Sequence, residues 1–325
     1  MTSTKQDCRE SFAATIMRLA AHDDRIVAVF NDSISSSNLK AFEAQFPERT
    51  FNVGIAEQNM IGVAAGLANA GLIPVVCAAS CFLCGRAFEQ IKVDIGYSNV
   101  NVKLFGMSPG FAYGALGATH HSPEDIALIQ SIPNILIGVP CDPDETASAV
   151  EAVVRHQGPT FLRILRTPVA PILPADRNLS FGSSVTLKRG SDVLLVASGL
   201  MVHEAYAAAK LLEDARVSCG VIAATSIRPF DVESLVHEMK AYRYVVTVEE
   251  GYALGGLGGR VAQIVATHDP KILMQLGATD FAPTGSTEEV LRHFDLDAAG
   301  IAFRTRALVA ASPARNAAAE FSAAI

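Results

Sequence analysis

The sequence predicts an α/β protein of two parallel-sheet domains, the second smaller than the first. Short, nearly continuous apolar runs recur along it, RIVAVFND (25–32) and IPVVCAAS (73–80) among them, with helical patterns between several. Such strands suit a parallel sheet covered on both faces, because neither face meets water. A stretch of prolines and polar residues at 167–190 interrupts the alternation, which then restarts. At 325 residues the chain has the length of two ordinary domains.

In chain order, a helix precedes the strand at 25–32 and the polar loop SISSSN follows it. Further strands are expected at 73–80, 101–106, 134–140 and 160–165. The first domain is therefore set at 1–170 and a linker at 171–190. Beyond it, SDVLLVASG (191–199) reads as a strand and MVHEAYAAAKLLEDA (201–215) as a helix. VSCGVIAA (217–224) and RYVVTVEEG (243–251) are strands, the latter leading into a glycine-rich turn and a helix. These make a second domain at 191–310, with 311–325 left as a frayed helix or a disordered tail.

Half of the residues are hydrophobic and 18% are charged, enough for a sizeable core. A mean hydropathy of +0.29 points to apolar surface buried against other chains. The apolar helical stretch 59–72 carries Asn59 and Asn69 and is too short for a bilayer. The opening MTSTKQDCRESF has no apolar signal region, so a cytoplasmic protein is expected. A net charge of −7 without a basic run argues against nucleic acid or an anionic membrane as partner. The six cysteines read as reduced thiols.

Four motifs invite chemistry. VTVEEGYALGGLGGRVAQIV could cradle a phosphate on a helix N-terminus, but counting from Gly256 and Gly258 the third glycine position of a dinucleotide fingerprint is Val261. A tight turn with close helix packing is the reading kept. CAASCFLC spaces Cys77, Cys81 and Cys84 like the iron–sulfur motif of radical SAM enzymes. Cys77 ends an apolar strand, however, and 81–95 reads as helical, so packing thiols are expected. In GATHHSPEDIALI, adjacent His120 and His121 point opposite ways in an extended segment and make a poor chelate. Ser122 with Asp125 there fits a capping box, with Pro123 at the first helical position. Finally, Glu57 in FNVGIAEQNM (51–60) is either a first-turn glutamate favoured by the helix dipole or a buried carboxylate that shares its proton or charge.

Together these segments resemble the C-terminal half of transketolase. FPERTFNVGIAEQNMIGVAAGLANAG is similar to that family's pyrimidine-domain signature, and GRAFEQIK, GATHH, EDIALIQSIPN, VPCDPDE and FLRILR follow in the family's order. SIRPFD and VTVEEGYALGGLG are similar to its small C-terminal domain, and the likeness covers about residues 5–305.

The resemblance implies a pyrimidine-binding domain followed by a transketolase C-terminal domain, with thiamine diphosphate bound between chains. The family's diphosphate domain carries a GDG…N motif that holds Mg²⁺ and diphosphate. No GDG occurs in this chain, which implies no metal ligand here and a partner N-terminal subunit that supplies that half; the resemblance further implies self-association through the pyrimidine domain, in an α2β2 assembly. In the family, the glutamate matching Glu57 hydrogen-bonds N1′ of the aminopyrimidine and shares its proton. Phe82 matches the ring stacked on the cofactor, Phe88 a second pocket aromatic, and Arg86 lies between them. Asp32 matches a carboxylate near the cofactor, and His120 a proton-transferring histidine. Arg166 matches the arginine that grips a sugar phosphate, helped by Arg9 and one of Ser36 or Ser37.

Ser108 and Leu116 depart from the family, standing where a histidine and an aspartate usually contact donor hydroxyls. The implied reaction transfers a two-carbon ketol unit from a ketose phosphate to an aldehyde or aldose. Alternatives are a 1-deoxyxylulose-5-phosphate synthase-like activity, a 2-oxoacid dehydrogenase E1 β subunit and, more remotely, an iron–sulfur protein or a non-catalytic scaffold subunit.

Overall fold

The computed structural model describes residues 4–174 and 181–311. The first sheet takes β1 (Ile26–Phe30), β2 (Thr50–Asn52), β3 (Ile73–Ala79), β4 (Lys103–Met107), β5 (Leu136–Gly138) and β6 (Thr160–Ile164). The second takes β7 (Val185–Lys188), β8 (Val193–Ala197), β9 (Cys219–Ala223), β11 (Tyr244–Tyr252) and β12 (Ile272–Ala278). Strand β10 (Ser226–Arg228) crosses back and joins the first sheet, antiparallel to β5. The orders are β10-β5-β6-β4-β3-β1-β2 and β12-β11-β8-β9-β7. All pairings are parallel except β10 with β5 and β7 with β9.

Both faces of the first sheet are covered, as its apolar runs require. Val29, Val76, Ala78 and Leu104 pack on one side with Met60, Ile61 and Ala64 of the helix Glu57–Asn69. Their neighbours Ala28, Phe30, Val75, Cys77 and Phe105 pack on the other with helices Cys8–Ala20 and Pro143–Arg155. This alternation is the period of two expected of a strand. Five of the helices begin on side-chain caps: Asp7, Asp142 (ahead of Pro143), Asp231, Asp297, and a reciprocal box of Ser286 with Glu289.

The two halves are stitched together at buried polar contacts. Val139 donates its amide to Thr225 O at 2.7 Å, and the Thr225 hydroxyl donates to Glu145 Oε1 at 2.7 Å.

Several expectations need correction. β7 lies inside the segment read as a linker, and β10 and β12 were not anticipated. The stretch 81–95 is helical as expected, but π-helical at Phe82–Arg86 and Ile91–Tyr97, around one short turn of α-helix. Ser122 does not cap the next helix, which runs Asp125–Gln130 with no side-chain cap. Ser122 is instead held extended in a bridge to Gly110, its amide 2.8 Å from Gly110 O, so the helix starts later. The last helix is Ala298–Ala310, and all of the expected tail except Ala311 lies outside the described residues. No helix among the described residues is long and apolar enough to cross a membrane.

Candidate active site

The carboxyl ends of the parallel strands collect the chemistry. Asn31 follows β1, Glu57 opens the helix after β2, and the π-helical Phe82–Arg86 follows β3. The loop with Tyr113 and His120 follows β4, and Arg166 lies two residues past β6. Parallel strands deliver such loops to one edge, where open α/β sheets bind ligands.

Glu57 is 1% exposed. Arg86 Nη1 donates to its Oε2 at 2.7 Å, and Asn31 Nδ2 donates to its Oε1 at 2.5 Å. Ser33 in turn fixes Asn31, its hydroxyl donating to Asn31 Oδ1 at 2.5 Å. Burial pushes the Glu57 carboxyl up, but the bonds from Arg86 and Asn31 outweigh it and hold the group below the ordinary carboxylate range. Both sequence readings of Glu57 thus hold: it opens a helix, and it is a buried carboxylate with partners.

From Glu57 a continuous wall runs outward. The Arg86 guanidinium, already bound to Glu57, lies 4.6 Å from the Phe82 ring centre. Phe82 meets the His120 ring edge-on at 5.3 Å. His120 meets Tyr113 edge-on at 6.0 Å, and Arg166 sits over Tyr113 at 5.1 Å. The Nδ1 of His120 is engaged by the Thr119 hydroxyl at 2.9 Å. His121 turns inward, buried edge-on against Phe111, and burial lowers its pKa.

The structure thus brings together Glu57, Arg86, Phe82, His120 and Arg166. The other expected residues make different contacts. Phe88 packs on the core beside the helix Glu57–Asn69. The Arg9 guanidinium is committed to Asp7, at 2.6 Å, and to the Ser36 carbonyl, at 3.2 Å. Ser37 is wholly buried, which leaves Ser36 as the one of the pair beside Arg9. Asp32 is exposed at a φ of 64° and exchanges hydrogen bonds with Asn52. Ser108 is buried, and its hydroxyl has no partner among the described residues. Leu116 is 54% exposed on a 3₁₀ turn, Gly114–Leu116, just after Tyr113.

Sequence reasoning missed Asn31 and Tyr113, and it missed a buried ionic network behind the wall. Arg163 of β6 binds both oxygens of Asp125, which also accepts from the Ser80 hydroxyl at 2.6 Å. The same arginine donates to the carbonyl of Glu250 on β11, at 3.1 Å. The loop after β4 presses on Glu250: a Cβ at Gly110, whose φ is +58°, would fall 2.3 Å from its side chain. The signal was available, since an arginine inside a wholly buried strand needs an acid.

Two other motifs resolve structurally. The helix Leu257–His268 has its first amides filled by its own neighbour, Glu249, at 2.8 Å from both Leu257 N and Gly258 N. Cys77 lies within β3, and burial pushes up the thiols of Cys77, Cys81 and Cys84, that of Cys81 to about 12.

The fold is that of a two-domain α/β chain with a row of contacting polar and aromatic side chains at the strand ends of its first sheet. Residues 4–170 match the transketolase pyrimidine-binding domain, and residues 182–301 match the transketolase C-terminal domain. One subunit of the apulose-4-phosphate transketolase of Phocaeicola vulgatus is 38% identical over 296 residues, 90% of this chain and 95% of that one. The 1-deoxy-D-xylulose-5-phosphate synthase of Symbiobacterium thermophilum is 34% identical over 319 residues, 94% of this chain but 49% of the synthase. A split-gene transketolase, solved as an inactive β4 tetramer, superposes with a TM-score of 0.85 at 33% identity, covering 94% of this chain and 99% of that one. The chain belongs to the transketolase family.

Proposed function

We propose that this chain is the pyrimidine-side subunit of a two-subunit, thiamine-diphosphate-dependent transketolase that moves a two-carbon ketol unit from a ketose phosphate to an aldehyde or aldose. A partner subunit would hold the diphosphate and Mg²⁺, because this sequence has no GDG, and α2β2 is the assembly we infer. The observation that carries the reading is the unbroken wall from Glu57 to Arg166.

The donor set fits the aminopyrimidine. An ionised carboxylate has about four acceptor sites, and Arg86 and Asn31 use two of those on Glu57. Glu57 would accept a hydrogen bond from a ring nitrogen, beside the flat face of Phe82. Bound thiamine diphosphate would supply the carbon–carbon chemistry. With Nδ1 of His120 turned to Thr119, its Nε2 is the atom that would hold or move a proton at the substrate. Arg166, steadied on Tyr113, would hold the substrate phosphate through its planar fork.

Leu116 favours a second reading: it accepts no hydrogen bond where a donor hydroxyl would be read, so a 2-oxoacid donor, decarboxylated as in the synthase-like or E1-like activities, would lose nothing there. The test is to reconstitute the chain with the partner subunit, Mg²⁺ and cofactor. Ketol transfer without carbon dioxide supports the proposal, and stoichiometric carbon dioxide from a 2-oxoacid replaces it with the second reading. C2 proton exchange of the bound cofactor at an undiminished rate in Glu57→Gln would remove Glu57 from its role.

A further inference from the structure

Where the two halves meet, a cavity of about 620 Å³ lies between the end of the helix Asp125–Gln130, the end of β10 and the glycine-rich turn. Its volume is in the range of small-molecule sites, roughly 300–1,000 Å³. No residue of the wall from Glu57 to Arg166 lines it. Two arginines do, Arg228 and Arg260, and no aspartate or glutamate does, in a chain of net charge −7.

Neither arginine has a carboxylate partner among the described residues. Arg228 donates from Nη1 to the carbonyls of Ile132 and Ile135 and from Nη2 to that of Gln130. These neutral acceptors fix the guanidinium but leave its charge uncompensated and part of its five-donor fork free. Arg260 reaches only Gln263 Oε1, at 3.4 Å. Burial and the like charge of Arg260 together lower the pKa of Arg228. Two cations facing one cavity repel each other, and a dianion between them removes that repulsion. Room remains for more than the anion: a Cβ at Gly259 would meet nothing within 4 Å, and Ile227, Pro229 and Phe230 give an apolar side for an organic body.

We propose that this cavity binds a small phosphorylated molecule through Arg228 and Arg260. Paired arginine forks suit the two charges and three oxygens of a phosphate monoester better than a monocarboxylate.

The test is calorimetry on the full chain with ribose 5-phosphate and ribose at constant ionic strength, comparing the unmodified protein with Arg260→Ala, Arg260→Lys and Arg166→Ala. Arg260 is partly exposed on the helix Leu257–His268, so its variants fold, and circular dichroism verifies it. Expected are binding of ribose 5-phosphate and none of ribose. Loss of one charge-assisted contact should weaken the ester about tenfold in Arg260→Ala, with partial recovery in Arg260→Lys and no change in Arg166→Ala. Equal affinity in Arg260→Ala, or no binding of the ester by the unmodified chain, overturns the proposal. Loss of binding in Arg166→Ala alone also overturns it, and would place the ester at the strand-end wall instead.

Discussion

Replacing Arg163 with methionine removes the cation behind the wall while keeping the length of the side chain. Its Nη2 lies 2.7 Å from Asp125 Oδ1 and its Nε 3.0 Å from Oδ2, and Nη2 also donates to the carbonyls of Ser122 and Glu250, each at 3.1 Å. Asp125 is 0% exposed, so water cannot replace the lost partner. The Ser80 hydroxyl and the Ile126 amide would remain, each at 2.6 Å, but neither neutralises the stranded charge. Breaking a buried pair from one side costs about 3–5 kcal/mol. Urea unfolding of Arg163→Met, Asp125→Asn and the double variant reads this directly. The double variant should be more stable than Arg163→Met alone, because the amide carries no charge to strand. A loss below about 1 kcal/mol in Arg163→Met, or a double variant at the sum of the singles, would refute the reasoning.

Three further outcomes are expected. Burial pushes the Glu250 carboxyl up to about 7 from its ordinary 4.5, so the folded state holds its proton longer than the unfolded state. The stability this contributes is full below about pH 4.5 and is lost as pH rises through 7, so Glu250→Gln should match the unmodified protein in acid and exceed it by about 3 kcal/mol above pH 7; parallel curves would contradict this. Tyr113→Leu should raise KM for a phosphorylated substrate in the reconstituted enzyme while Tyr113→Phe leaves it unchanged, since the ring and not the hydroxyl carries Arg166; matching KM values for the two variants would disprove the stacking role. All six thiols are held protonated by burial, so Ellman's reagent at pH 8 should titrate six in urea and only slowly in the folded chain; one fast thiol in the folded chain would contradict the packing.

The strands that bury both faces were legible because nothing else explains runs such as IVAVF and PVVCAA. Glu57 was legible as an anomaly, a carboxylate among apolar neighbours, although its partners Asn31 and Arg86 lie 26 and 29 residues away and no local pattern pairs them. β10 escaped because three residues carry no periodicity, and its pairing with β5 exists only once both halves are folded. Asp125 was assigned to a cap because Ser-Pro-x-Asp is a local helix signal. The bridge of Ser122 to Gly110 overrides that signal and frees the carboxylate for Arg163. Tyr113 gave no warning, since an aromatic in a glycine-rich loop is ordinary until Arg166 lies over it.

Every residue of the wall comes from the first domain, which raises the question of what the second contributes. The buried network supplies an answer. Ser80, bound to Asp125, lies two residues before Phe82. Asp125 itself lies five residues after His120, at the end of the loop that also carries Tyr113, and Arg163 lies three residues before Arg166. Three separate loops of the wall are therefore moored, within a few residues each, to one ion pair. Glu250 of the second sheet closes that mooring, taking the Arg163 guanidinium on its carbonyl and the Phe111 amide on its carboxylate at 2.7 Å. A side chain held in a low-dielectric interior by several charge-assisted bonds has little freedom to drift, and neither do the loops tied to it. The second domain is thus placed to fix the loops that carry the wall. In Arg163→Met the loss of stability and the loss of substrate affinity should accordingly appear together, in a residue that contacts no substrate.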